Sequence, residues 1–222
     1  MRPQMMTPTQ RPAGGAVAVA GPQGRMWLPV PVAVTMGAMA QAVETIVISL
    51  GSNLGDARSH LAFAVARIGD LDPTHGCRVL AVSALYRTVP WQADGPDFLN
   101  AVVVLQGPGD DAAPHRLLHA LQDIERARGR ERPYRYAPRT LDLDLILYGP
   151  RIVESADLVL PHPRALQRAF VLRPLADVMP DINWPGLGAA WQDHLAGLSD
   201  PPPVPLDDPD WPSQRGRRSP SP

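Results

Sequence analysis

Residues 140–149 read TLDLDLILYG, an alternation of leucine and aspartate closed by a Gly-Pro turn. On an extended strand, Leu141, Leu143, Leu145 and Leu147 project to one face and Asp142 and Asp144 to the other. The two aspartate Cβ atoms would lie about 6.5–7 Å apart, from a rise of roughly 3.3 Å per residue. Aspartate is disfavoured in strands, and like charges on one face repel. Two readings are open: a solvated face of an edge strand, or a carboxylate pair compensated by a divalent cation. The all-oxygen donor set suits Mg²⁺, which takes one or two carboxylates plus substrate phosphates.

The preceding segment favours the cation. Residues 126–139 read RARGRERPYRYAPR, with six arginines (Arg126, Arg128, Arg130, Arg132, Arg135, Arg139) and one acid, Glu131. Guanidinium groups match phosphate oxygens bidentately. A basic loop feeding into a carboxylate strand suits a metal-polyphosphate site, and Gly129 and Pro133 suit a loop that closes over a substrate. Nonspecific contact with RNA or DNA is the competing reading, and the aspartates argue against it.

Further outward, the periods alternate. Thr45–Leu50 is a β-branched apolar run, the pattern of a buried strand. GSNLGD (51–56) breaks it, and Asp56 or Ser59 caps a helix with Leu61, Ala62, Val65 and Ile68 on one face. Arg78–Arg87 alternates as one strand, and Phe98–Gln106 is the next. Pro114 opens a second helix carrying Leu117, Leu118, Leu121, Ile124 and Glu125. After the aspartate strand, Arg151–Val153 is expected to pair, Ala165–Val178 is helical, and a short helix covers Ala189–Leu195. This split β-α-β order predicts an α+β fold: a ferredoxin-like core with a mainly antiparallel sheet. Residues 1–43 and 199–222, rich in proline and without period, read as poorly ordered or disordered tails around a domain at 44–198.

Composition narrows the function. The 222 residues carry 21 basic side chains, all arginine. Without lysine, a P-loop, a kinase strand lysine and a Schiff base are excluded. The net charge of −1 gives bulk electrostatics no pull toward nucleic acid or membrane. Cys77 is the single cysteine, so no internal disulfide or cysteine metal cage forms, which fits a reducing cytoplasm. Met26–Ala40 is apolar but broken by Pro29 and Pro31, so no signal-peptide core is continuous. No run is long enough to span a bilayer, and no heptad suggests assembly, so a cytoplasmic monomer is expected.

Two motifs are weaker. GSNLGD could approach an anion through its amides or be a plain turn. LPHP (160–163) holds His162 between prolines, followed by Arg168 and Phe170, and a lone histidine is more often structural than catalytic.

Taken in order, GSNLGD, LYRTVPW, DGPDFLNAVV, QDIERARGRERPYRYAPRTLDLDLILYG and LPHPRALQRAFVLRPL resemble the 6-hydroxymethyl-7,8-dihydropterin pyrophosphokinase family over residues 45–185. The resemblance implies a three-layered α/β/α sandwich and transfer of pyrophosphate from ATP to the pterin's hydroxymethyl oxygen, giving AMP, in folate biosynthesis. It implies two Mg²⁺ ions on Asp142 and Asp144, with Asp142 also near the pterin. Arg130 and Arg139 would assist catalysis. Gln122, Glu125, Arg132, Tyr136 and Leu145 would bind ATP, as would Arg130, Arg139, His162 and Arg168. Thr88, Pro90, Phe98, Asn100 and Phe170 would form the pterin pocket, with the two phenylalanines sandwiching the ring. The chain departs from the family pattern at Tyr136-Ala137, where Trp-Gly is usual, and at Phe98, where tyrosine is common. Val159 replaces a threonine that contacts ATP in some members, and Pro163 replaces an aromatic.

Overall fold

A computed structural model describes residues 42–90, 95–129, 139–199 and 201–213. Strand β1 (Val43–Ser52) is the β-branched run extended at both ends. Helix α1 (Ala57–Gly69) follows, capped by Asp56, whose carboxylate accepts the Ser59 N–H at 3.0 Å. This satisfies one of the helix's unpaired donors. A four-residue helix α2 (Asp72–His75) leads into β2 (Arg78–Val82) and β3 (Tyr86–Thr88). Then come β4 (Phe98–Pro108), α3 (Ala113–Arg126) and β5 (Asp142–Tyr148). Short strands β6 (Val153–Glu154) and β7 (Val159–Leu160) precede α4 (Ala169–Val178), α5 (Gln192–Gly197) and β8 (Val204–Pro205).

The main sheet runs β5-β1-β4-β3-β8, with β2 also on β4, and every pair is antiparallel. This is the ferredoxin-like arrangement expected. Alternation along β1 sorts its side chains into two cores. Ile46, Ile48 and Leu50 pack against α1 and α3 through Leu61, Ile68, Leu117 and Leu121. Val47 faces the other way, with Val102, Val104 and the α4 residues Val171, Leu172 and Leu175. The result is three layers, α/β/α, around a doubly buried sheet.

Four expectations are corrected. The strand expected over 78–87 is two strands, because Ser83 enters the ladder with its side chain. Its N–H donates to the Val102 carbonyl at 2.9 Å, and its hydroxyl, in place of a carbonyl, accepts the Val102 N–H at 2.9 Å. Along β5, pairing with β1 slips between Val47 and Ile48, so Val47 faces Leu147 while Ile48 faces Leu145. The extra residue, Ile146, rotates the strand, and Leu147 joins the α4-side core instead of the face of Leu143 and Leu145. After the Gly149-Pro150 turn, the chain pairs in a separate two-stranded sheet, β6 with β7.

The fourth correction concerns residues 201–213, read as part of a tail. Val204 and Pro205 pair with Arg87 and Tyr86 of β3, and Trp211 is 4% exposed. A single large apolar side chain and a strand edge in need of a partner hold this segment, although its composition is proline- and aspartate-rich. Residues 1–41 and 214–222 lie outside the described residues.

Candidate active site on the α4 face of the sheet

The register lines up residues remote in sequence. Asp142 pairs with Gly51, Gly51 with Asn100, and Asn100 with Tyr86. Directly paired residues in an antiparallel sheet share a face. One row therefore crosses four strands, with Asp144 beside Ser49 and Phe98 beside Thr88 in the adjacent rows. A Cβ on Gly51 would meet Asn100 Oδ1 at 3.4 Å. Glycine here leaves open the gap between the carboxylate end and the amide end.

At the carboxylate end, Arg139 pairs with Asp142, and Arg168 Nη1 lies 3.0 Å from Asp144 Oδ2. Both aspartates are partly exposed on the sheet face. Among the described residues no group of three His, Cys, Asp or Glu side chains could enclose a metal. Two carboxylates on one face, with only oxygen donors, fit a cation that completes its shell from phosphate oxygens and water.

Arg139 is fixed by the first loop. The Asn53 N–H donates to the Arg139 carbonyl at 3.0 Å, and the Arg139 N–H donates to Asn53 Oδ1 at 2.8 Å. The Ser52 hydroxyl donates to the Thr140 carbonyl at 2.6 Å. Ser52 and Asn53 are 0% and 3% exposed. GSNLGD thus does more than turn the chain. It clamps the segment entering β5. Sequence reasoning missed this role for Gly51, Ser52 and Asn53, and the polar SN pair directly after an apolar strand was the available signal.

Arg168 is held by a break in helical structure. A 3₁₀ turn at Ala165–Gln167 ends at Arg168, whose φ of −126° and ψ of 102° are extended, and α4 begins after it. The expected continuous helix from Ala165 is therefore interrupted at the residue that reaches Asp144. The same guanidinium lies 5.4 Å from the Phe170 ring centroid, within cation-π range. Arg168 joins the carboxylate end to the aromatic end of the site.

His162 follows a cis Leu160-Pro161 bond, and its N–H donates to the Ile146 carbonyl at 2.9 Å. Burial pushes the imidazole below its usual range, the Asp144 carboxylate opposes this, and Arg168 and Arg164 add to the lowering. Its Nδ1 accepts the Arg164 N–H at 3.2 Å, which leaves the proton of the neutral ring on Nε2.

On the outer side of β5, which is an edge of the sheet, buried Glu125 accepts the Leu143 N–H at 2.7 Å through Oε1. Gln122 is exposed one turn earlier on α3. The Leu145 side chain is 4% exposed in the α1/α3 core, so what it offers a ligand is its backbone. At the amide end, Asn100 Nδ2 donates to Thr88 Oγ1 at 2.9 Å. Phe98, Thr88, Pro90 and Phe170 are half-buried around it or in the adjoining segments. Arg130, Arg132 and Tyr136 lie outside the described residues.

Comparison with known proteins agrees with this geometry. Residues 47–180 match the family described as 7,8-dihydro-6-hydroxymethylpterin-pyrophosphokinase. A 2-amino-4-hydroxy-6-hydroxymethyldihydropteridine pyrophosphokinase of Pseudomonas aeruginosa is 42% identical over 144 residues, covering 64% of this chain and 85% of the relative. The protein of that name from Methylorubrum extorquens is 44% identical over 136 residues, covering 61% and 82%. The folic acid synthesis protein fol1 of Pneumocystis carinii is 37% identical over 158 residues, which is 71% of this chain, and the chain spans 20% of its length. Among solved structures, wild-type Plasmodium falciparum HPPK-DHPS superposes with a TM-score of 0.54 at 14% identity, over 72% of this chain and 45% of that one, a likeness of fold. The chain belongs to the 7,8-dihydro-6-hydroxymethylpterin-pyrophosphokinase family.

Proposed function

We propose that this protein transfers pyrophosphate from ATP to 6-hydroxymethyl-7,8-dihydropterin, giving AMP and the pterin diphosphate, in folate biosynthesis. The observation that carries the reading is the row Asp142–Gly51–Asn100. It sets a carboxylate pair and a buried amide on one sheet face, with a glycine between them. A reaction joining a polyphosphate to a flat polar heterocycle needs these two ends at close range.

Asp142 and Asp144 would hold two Mg²⁺ ions, which when bound would neutralise phosphate charge and acidify the pterin hydroxyl. Arg139, Arg168 and the Nε2–H of His162 supply donors for phosphate oxygens. Arg130 and Arg132 would add to these from the basic loop, and Tyr136 would face the nucleotide. Gln122, Glu125 and the Leu145 backbone would bind the nucleotide at the β5 edge. Thr88, Pro90 and Asn100 would read the pterin's polar edge, and Phe98 and Phe170 would stack on its faces. The hydroxymethyl oxygen attacks the β-phosphorus, and the α–β bridging oxygen leaves with AMP. The chain's part is to align the two and exclude water.

The catalytic unit is the domain of residues 44–198 with the segment 201–213 paired on its β3 edge, working as a cytoplasmic monomer. No described helix is long and apolar enough to cross a membrane, and exposed large apolar residues such as Val43 and Ile152 are scattered. A sample whose mass in solution is that of one 24.0 kDa chain is expected to form AMP and pterin diphosphate in equal amounts. Absence of AMP from ATP, Mg²⁺ and the hydroxymethyl-dihydropterin would sink the reading.

Phe170→Ala removes one face of the stacking pair and the ring under Arg168. The pterin dissociation constant is expected to rise about 10-fold or more, from a stacking loss near 1 kcal/mol plus lost area burial. Isothermal titration with a nonhydrolysable ATP analogue present measures it, and an unchanged constant would refute the sandwich.

A further inference from the structure

We infer that residues 201–213, which lie outside the family-matched region, are a brace that positions the pterin end of the site. The inference rests on the functional reading above. It begins with the break at Ser83. Because the Ser83 hydroxyl takes the Val102 N–H, the Ser83 carbonyl is turned out of the ladder. Buried carbonyls require a donor. Trp211 supplies it: its Nε1–H donates to the Ser83 carbonyl at 2.8 Å in a buried setting. Two residues on, the Leu206 N–H donates to the Leu85 carbonyl at 2.8 Å. The segment therefore satisfies two carbonyls of the 83–85 break that no strand reaches.

The brace then continues into the site strand. Val204 and Pro205 pair with Arg87 and Tyr86. On its other side β3 pairs with β4 through Tyr86–Asn100 and Thr88–Phe98. A strand of only three residues, with Thr88 at its end, is held in register from both edges. The brace is also anchored on the α1 layer. Asp208 makes a two-point ion pair with Arg58 of α1, at 2.5 and 2.9 Å, and this holds the Asp208 carboxyl below its usual range. Toward α4, Pro202, Pro203 and Pro205 wall a cavity of about 570 Å³ opposite Ala169 and Arg173. Ala169 directly precedes Phe170. In the sheet order β5-β1-β4-β3-β8 the segment lies at the end opposite the strand of Asp142 and Asp144. The brace should therefore act on pterin affinity and leave the phosphate end alone.

The test is the full chain against one ending at Leu198, in steady-state kinetics with each substrate varied separately. The pterin KM is expected to rise about 10-fold, with the ATP KM and the kcat at saturation within about 2-fold. A merely structural segment would lower the active fraction, and so kcat, without this split. An unchanged pterin KM, or pterin and ATP KM rising together, would overturn the inference. Should the shortened chain not fold, Trp211→Phe in the full chain decides. It keeps an aromatic ring, smaller than the indole, but removes the donor, and a rise in pterin KM alone supports the brace while no rise overturns it. If the full chain itself forms no AMP, the functional reading fails and the inference with it. Normal turnover by both chains with equal pterin KM removes the inference alone.

Discussion

Asp144→Ala is expected to lower kcat at least ~10³-fold, equivalent to about 4 kcal/mol of transition-state stabilisation. Asp144 shares the sheet face with Asp142, two ladder positions beyond the row through Gly51. Under the proposed function, a single carboxylate would then remain to anchor cations against a triphosphate. The fold should survive. The Arg168–Asp144 pair is partly exposed, and such pairs contribute about 0–1 kcal/mol to stability. Rapid-quench measurement of AMP at saturating substrates, with a thermal melt on the same sample, checks both statements. Turnover above about a tenth of the parent with an unchanged melt would show that Asp144 does not hold the metal.

Asn53→Ala should affect stability and turnover together. The side chain is buried, and its Oδ1 is the acceptor for the Arg139 N–H. Alanine leaves that donor unpaired, at a cost of about 1–3 kcal/mol. For a chain of this size a melting temperature lower by roughly 2–4 °C per kcal/mol follows. Release of Arg139 also loosens its grip beside Asp142. Misplacement on the scale of 1 Å is worth up to about 10²-fold in rate. Asn53→Asp keeps an acceptor and should restore part of both losses. A variant that melts early but retains the parent kcat/KM would show that the clamp supports the fold and does not position the site.

The fold was legible where a period and a burial pattern coincide. The two-sided apolar run of β1, the capped α1 and the Pro114-led α3 are local features, and each appears close to where the sequence places it. The break at Ser83 was not legible. The alternation continues through Arg87, and nothing local says that a hydroxyl will replace a carbonyl in the ladder. The slip at Ile146 was hidden for the same reason, since leucine and isoleucine suit either face. Residues 201–213 have no period at all; one tryptophan and one aspartate decide their place through partners more than a hundred positions away.

For the site, the aspartate pair was visible as an oddity of strand chemistry. The row through Gly51 and Asn100 depends on register, which only pairing reveals. Arg168 was marked by the resemblance, but its reach to Asp144 comes from the extended backbone that interrupts the expected helix. The clamp by Ser52 and Asn53 had a visible signal in GSNLGD, and reading it as a turn or an anion loop overlooked the protein's own backbone as its partner.

The position of β1 between β5 and β4 has a consequence for synthesis. Its partners β4 and β5 begin at Phe98 and Asp142. At about 5–20 residues per second, β1 waits roughly 2–9 s after Ser52 is made before Phe98 is joined. During that interval α1 is the helix available to cover the face of Ile46, Ile48 and Leu50, and Val47 on the other face waits for α4. Strands of this kind are prone to wrong pairing while exposed. Early formation of α1, secured by the Asp56 cap, therefore shields one face of β1 until the ribosome has supplied the rest of the sheet.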